Sequence, residues 1–114
     1  MRRGVGVATV RKLALALPSV NEGTSYGTPA WRVRGKLFAR LHQDGESLVL
    51  RTDFDEREAL MEMDPEAFFI TDHYTNYEMM QVRLAAVRQA QLRELLEASW
   101  RKCASKRMIE ALDG

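Results

Sequence analysis

The chain of 114 residues carries 17 lysines and arginines against 16 aspartates and glutamates, for a formal net charge of +1. This length suits a single domain with one core, which we expect to span residues 1–114. The sequence has no apolar run long enough to span a bilayer, so no membrane partner is expected. A single cysteine, Cys103, excludes an internal disulfide and favours a cytoplasmic location.

The first half of the chain predicts one helix followed by strands. Apolar residues recur at helical spacing over residues 5–17, and Pro18 ends that helix. Glycine-containing turns at Gly27, Gly35 and Gly45 separate the segments that follow, which is typical of hairpins. The predicted extended segments are residues 22–26, 30–34, 36–42 and 47–51. Their order predicts a meander.

The second half predicts helices around two further strands. Asp53 and Glu56 have the spacing of a capping box, so a helix is expected from Phe54 to Met63. A helical turn is expected at Asp64-Pro65. The remaining predicted elements are strands at residues 68–72 and 78–84, a helix at residues 89–103 and a short helix capped by Ser105. We therefore expect an α+β fold, an antiparallel sheet with the N- and C-terminal helices packed on one face.

Alternation of side chains across a strand predicts which residues face the helices. Leu37, Ala39 and Leu41 are expected to face inward, as are the apolar residues of the neighbouring strands. The outer face would then collect cations and one aromatic ring, together with His42. These candidate nucleic-acid-binding residues are Arg32, Arg34, Lys36, Phe38, Arg40, Arg51 and Arg83.

This outer face predicts contact with DNA. Same-face neighbours on a strand lie about 6.6 Å apart, roughly the spacing of successive phosphates, and Phe38 would offer a stacking surface. The alternative is an ordinary polar outer face, partly neutralised by acids such as Glu46. A second basic group, which either stabilises a helix end or contacts phosphate, consists of Arg101, Lys102, Lys106 and Arg107.

The loop between the last two strands is both polar and aromatic, as recognition loops often are. Its candidate binding residues are His73, Tyr74, Asn76 and Tyr77. In the alternative interpretation the tyrosines cover the edge of the core and Asn76 supplies turn geometry. No spacing pairs a nucleophile with a base, and no metal-ligand or phosphate-loop motif is present. Neither catalysis, a metal nor a cofactor is therefore expected.

Three segments resemble the MmcQ/YjbR family of small bacterial proteins: Leu17-Pro18-Ser19-Val20, residues 26–33 and residues 35–41. The Ser99-Trp100 end of the late helix shares this resemblance. It implies a CyaY-like (frataxin-like) fold and a DNA-binding role through a double-wing surface, here the cationic hairpins. No catalytic residues are implied, and the iron role of frataxins is not expected because the first helix carries no acid.

The expected partner is double-stranded DNA, bound weakly and without sequence specificity. The alternative is a module that binds another protein or a small ligand, through residues 74–79 and the sheet edge, without catalytic activity.

Overall fold

A six-stranded antiparallel sheet forms the frame of the computed structural model, which describes residues 4–114. The strand order is β1-β2-β3-β4-β6-β5. The first four strands form the predicted meander, whereas β6 inserts between β4 and β5. The strands are β1 (Val20–Ser25), β2 (Thr28–Val33), β3 (Lys36–Leu41), β4 (Ser47–Arg51), β5 (Phe68–Phe69) and β6 (Met79–Arg83).

The helices begin close to where the sequence predicts them. Asp53 accepts a hydrogen bond from the Glu56 backbone N–H at 2.7 Å, and Ser105 accepts one from Met108 at 3.2 Å. Both are side-chain caps of the predicted kind. The helices are α1 (Val7–Leu15), α2 (Phe54–Met63), α3 (Gln89–Cys103) and α4 (Lys106–Asp113), with a short 3-10 turn at Asp72–Tyr74.

The core lies between the sheet and the helices. Trp31 and Trp100 are both fully buried there, together with apolar residues of α1 and α3. The Trp100 indole N–H donates to the Pro18 carbonyl oxygen at 3.0 Å, which ties α3 to the chain just after α1. The predicted α+β class, with terminal helices on one face of the sheet, is confirmed.

The predicted phase of the first half of β3 is wrong because the strand contains a β-bulge. Trp31 pairs with Ala39 but Arg32 pairs with Leu37, so Phe38 is the extra residue. Such an insertion reverses the alternation on one side of the bulge. Phe38 is fully buried in the core instead of facing outward. Leu37, predicted inward, lines a cavity on the outer face.

The bulge also moves Lys36 off the outer face. Lys36 pairs directly with Val33, a core residue, and directly paired residues share a face. Lys36 therefore lies on the helix side of the sheet, at the exposed β2–β3 turn.

The outer face is covered at its centre rather than open to solvent. A row of four directly paired residues crosses four neighbouring strands on this face, and all four are buried: Ala30, Arg40, Val49 and Gln81. The segment of residues 70–78, between β5 and β6, crosses this row, with Thr71 hydrogen-bonded to Gln81 and Tyr74 to Arg40. The predicted strand at residues 68–72 is consequently only two residues long.

Candidate ligand-binding cleft

Two adjoining depressions lie on the outer face, beside the segment that covers it. Their volumes are about 300 and 290 Å³, and they share several lining residues. We call the combined feature the aromatic cleft. It is defined by Tyr26, Arg40, His42, His73, Tyr74 and Tyr77.

Arg40 lies at the floor of the aromatic cleft. It occupies the predicted outer side of β3, but only 5% of its surface is exposed. Its Nη2 donates to the Tyr74 hydroxyl oxygen at 2.7 Å and to Gln43 Oε1 at 3.3 Å, and its Nη1 donates to the Leu41 carbonyl oxygen at 3.4 Å. No carboxylate within residues 4–114 is in ion-pair contact with it. Within the described residues, the Arg40 guanidinium therefore has neutral hydrogen-bond acceptors and no carboxylate as its partner.

Tyr26 forms one side of the aromatic cleft, at the tip of the β1–β2 hairpin. Its side chain is highly exposed, and its ring centroid lies 5.3 Å from the Arg40 guanidinium carbon. Tyr26 and Gly27 make a two-residue turn with φ of 53° and 78°. Turns of this type favour asparagine or aspartate before the glycine, and a bulkier residue at positive φ costs about 1–2 kcal/mol. A tyrosine here is unfavourable for the turn itself.

Three of the four predicted loop residues form the opposite side. The His73 ring meets Tyr74 edge-on at 4.8 Å between centroids and stacks on Tyr77 at 5.9 Å. Tyr77 is exposed, whereas Tyr74 is buried. Asn76 lies on the same loop and is exposed, but it does not line the cleft.

Arg57 holds this loop in place and was not recognised in the sequence. It lies on α2, is 9% exposed, and its Nη1 donates to the carbonyl oxygens of Tyr74, Tyr77 and Met79 at 2.7–3.1 Å. Its Nη2 donates to the Thr75 carbonyl oxygen at 3.1 Å. The available signal was that Arg57 is the lone cation in the acidic run of residues 53–66.

His42, at the rim of the aromatic cleft, lies beside the β3–β4 turn. Its Nδ1 is 3.2 Å from Asp44 Oδ2. Partial burial alone would raise the pKa of Asp44, but hydrogen bonds from the Glu46 and Ser47 backbone N–H groups and the Ser47 hydroxyl, with His42 nearby, hold that pKa below its ordinary value. The Asp44 carboxylate is therefore engaged by hydrogen bonds within its own turn.

Three predicted cations lie on the outer face but outside the aromatic cleft. Arg32 and Arg51 donate to backbone carbonyl oxygens of neighbouring strands, and Arg83 lies 4.4 Å over the Phe69 ring. Their side chains are only partly exposed. The predicted continuous cationic face is therefore interrupted by the covering segment and by internal hydrogen bonds.

A separate group of exposed cations meets at the end of α3. Arg34 Nη1 lies 3.4 Å from the Cys103 carbonyl oxygen, at the turn that also carries Lys36. Burial raises the pKa of the Cys103 thiol, against the opposing effect of Arg51, Lys36 and Arg34. We call this group the basic end: Arg34, Lys36, Lys102, Lys106 and Arg107.

Arg101 does not add to the basic end. It contacts Glu97 at 3.2 Å and makes two hydrogen bonds to Asp113, which lowers the pKa of Asp113 and raises that of Arg101. Lys102 has Asp53 at 3.9 Å. Part of the basic group predicted from the sequence is therefore neutralised by neighbouring carboxylates.

Other features of the described residues do not suggest a site as clearly. A larger depression of about 640 Å³ lies between α2 and α3, but its lining residues, among them Met63, Arg88 and Glu94, are mostly exposed. Within residues 4–114 no group of three histidine, cysteine or acidic residues is arranged to hold a metal ion. None of the helices in this part of the chain combines the length and the apolar composition that a membrane-spanning helix needs.

Comparison with known proteins places the chain in a family. The YjbR family model matches residues 15–102, which include every residue of the aromatic cleft. None of the curated proteins matches the chain. The chain is also similar to the crystal structure of Deinococcus radiodurans protein DR2400, which carries the family-model domain DUF419. The two sequences are 23% identical, and the match covers 95% of this chain and 88% of the DR2400 chain, with a TM-score of 0.75. That similarity establishes a shared fold, and the family match establishes that the chain belongs to the YjbR family.

Proposed function

We propose that this protein is a binding module that takes a small molecule with a planar ring into the aromatic cleft, without catalysing a reaction. The observation that carries the proposal is the meeting of exposed aromatic rings and a buried arginine in one concave place. Membership of the YjbR family assigns no activity by itself. From the resemblance we also propose that the fold is CyaY-like (frataxin-like). The single cysteine supports a cytoplasmic location.

The ring surfaces support this proposal. Tyr26 is 79% exposed and Tyr77 is 56% exposed, which is unusual for side chains of this size. Aromatic pairs contribute about 0.5–1.5 kcal/mol beyond the area they bury. Each depression is close to the lower end of the usual volume of ligand sites, about 300–1,000 Å³. A single planar ring with one or two substituents suits this space.

The fixed shape of the aromatic cleft gives further support. Arg57 and Arg40 attach the loop of residues 73–77 to α2 and to β3 through hydrogen bonds. A site that is ordered before binding loses less conformational entropy when a ligand arrives. A role for the Tyr26 ring would account for a tyrosine at this positive-φ position, where asparagine would suit the turn better.

Benzamide is a suitable neutral probe for this proposal. Titration into ¹⁵N-labelled protein should shift amide signals of the aromatic cleft saturably and leave those of α1 unchanged. Tyr26→Asn should weaken benzamide binding by about 2- to 10-fold while preserving the turn. Leu15→Ala is the control, since Leu15 is an exposed apolar residue on α1. Absence of saturable shifts with any ring-containing probe would contradict the proposal.

A second candidate function, binding to duplex DNA without sequence preference, is favoured by the basic end. Phe38 and Arg40 are buried, so we propose the exposed Arg34, Lys36, Lys106 and Arg107 as its phosphate contacts. If roughly four phosphates are neutralised, log affinity should fall with log salt with a slope of about −3.6.

Fluorescence anisotropy with a labelled duplex of mixed sequence tests this second candidate. Lys36→Ala should weaken binding to every duplex by a similar factor, whereas Arg32→Ala, on the other side of the sheet, should leave it unchanged. Lack of binding even at low salt would remove DNA as a partner of the basic end.

A further inference from the structure

We infer that the ligand of the aromatic cleft carries an anionic group, a carboxylate or a phosphate, next to its ring, and that Arg40 and Tyr74 bind this group. The inference rests on the proposed function, because it specifies the ligand of the same cleft. It follows from the charge and the unused hydrogen-bond donors at the cleft floor.

The charge of Arg40 is the first step. A cation that is 95% buried is strongly disfavoured unless it is paired, and buried arginines usually have a carboxylate partner. Within residues 4–114 the acceptors of Arg40 are a hydroxyl, an amide and a backbone carbonyl, and none carries a charge. An anion in the cleft would supply the ion-pair partner that Arg40 lacks among the described residues.

The unused donors are the second step. A guanidinium has five N–H groups, and Arg40 makes three hydrogen bonds within the described residues. Its Nε hydrogen and one Nη1 hydrogen have no acceptor there. Tyr74 accepts from Arg40 through its oxygen, so its own hydroxyl hydrogen can also donate. Free N–H groups of a guanidinium and a phenolic O–H are donors that bind the oxygen atoms of a carboxylate or a phosphate.

Arg57 provides a contrast within the same protein. It too is buried and has no carboxylate partner among the described residues, but four backbone carbonyl oxygens accept from its guanidinium. It does not line the aromatic cleft. Arg57 therefore serves the loop, whereas Arg40 combines a buried charge, unused donors and a cavity.

The position of the rings places the anionic group beside the ring of the ligand. The Tyr26 ring lies over the guanidinium, and His73 and Tyr77 stack at the other side of the first depression, which Arg40 also lines. A ligand whose charge contacts Arg40 would therefore have its ring among these side chains. Free aromatic acids and aromatic phosphate esters share this chemistry.

The test compares benzoate with benzamide, which have nearly the same shape but differ in charge. At constant ionic strength, benzoate should bind the wild-type protein about 10- to 100-fold more tightly, the range expected for hydrogen bonds to a charged group. Phenyl phosphate, titrated in parallel, distinguishes the two anion types, and tighter binding of either anion than of benzamide supports the inference.

Two variants locate the effect. Tyr74→Phe removes the hydroxyl but keeps the ring, and should weaken benzoate binding several-fold while leaving benzamide binding unchanged. Arg40→Met removes the charge and keeps a similar side-chain volume, so it should lower the affinity for benzoate to that for benzamide. Far-ultraviolet circular dichroism checks that this variant folds. Binding of benzoate and phenyl phosphate no tighter than that of benzamide to the wild-type protein would overturn the anionic ligand but not the proposed function. Failure of all three probes to bind would overturn both.

Discussion

The Ser99 side chain supplies hydrogen bonds that the sheet lacks at its β-bulge. It lies on α3, is fully buried, and faces the β-bulge at Phe38. Its hydroxyl donates to the Phe38 carbonyl oxygen and accepts from the Arg51 backbone N–H at 3.0 Å. The β3–β4 pairing resumes at Ala39 and Leu50. A helix residue therefore supplies the partners that the bulge removes from the ladder.

Ser99→Ala should lower the free energy of unfolding by about 1–3 kcal/mol, because it leaves a buried donor and a buried acceptor without partners. Urea unfolding measures the effect. Ser25→Ala is a matched control, since the Ser25 hydroxyl makes no hydrogen bond within residues 4–114, and it should change stability by less than about 0.5 kcal/mol. Equal midpoints for the two variants would show that Ser99 does not support the bulge.

The segment of residues 70–78 changes the character of the outer face. The Thr71 backbone N–H donates to Gln81 Oε1 at 2.9 Å, and the Gln81 side-chain amide donates to Ser47 Oγ at 3.2 Å. The Thr71–Gln81 contact attaches the segment to β6 and the Arg40–Tyr74 bond attaches it to β3, while the Gln81–Ser47 bond links β6 to β4 beneath it. The sheet therefore has a second, smaller buried layer opposite the helices, and the aromatic cleft lies at its border.

Arg57 is the residue on which this segment depends most. Arg57→Met should lower the free energy of unfolding by more than about 2 kcal/mol, because several backbone carbonyl oxygens lose a charged donor at once. Arg57→Lys should recover only part of this loss, since an ammonium lacks the fork of donors.

Amide hydrogen exchange locates the Arg57 effect. Exchange should accelerate in residues 71–79 more than in β2 or α3 in both variants. Arg93→Met, an exposed substitution on α3, is the control and should leave the exchange pattern unchanged. Uniform acceleration across the sheet would contradict a specific role in the loop.

At the scale of the whole molecule, the helix layer and the sheet share one core. Leu96 of α3 is fully buried in it, and both tryptophans lie in the same cluster. Tryptophan fluorescence therefore reports on the core directly, and circular dichroism reports on the helices and strands around it. The two signals should change together if the domain unfolds in one step.

Leu96→Ala should destabilise the protein by about 2–5 kcal/mol, because it removes buried methyl groups and leaves a cavity. Leu15→Ala should cost less than about 1 kcal/mol, since Leu15 is 45% exposed. Coincident fluorescence and circular dichroism transitions are expected in both variants. Separate transitions would show that the helices and the sheet do not unfold as one unit.

The sequence by itself determined those features that depend on residues close together in the chain. The caps at Asp53 and Ser105, the stop at Pro18 and the hairpin glycines act within a few residues, so the helices and the meander could be predicted. The loop of His73, Tyr74 and Tyr77 could be recognised from composition. Family membership also followed from local motifs.

Only the tertiary structure decided the phase of β3 and the location of the candidate site. The bulge at Phe38 is stabilised by Ser99, 61 residues later in the chain, and alternation along a strand carries no sign of such a partner. Arg40 is buried because Tyr74, 34 residues away, covers it. A cationic sheet face predicted from strand periodicity thus became a covered surface with a small aromatic cleft, because long-range contacts determine which side chains reach solvent.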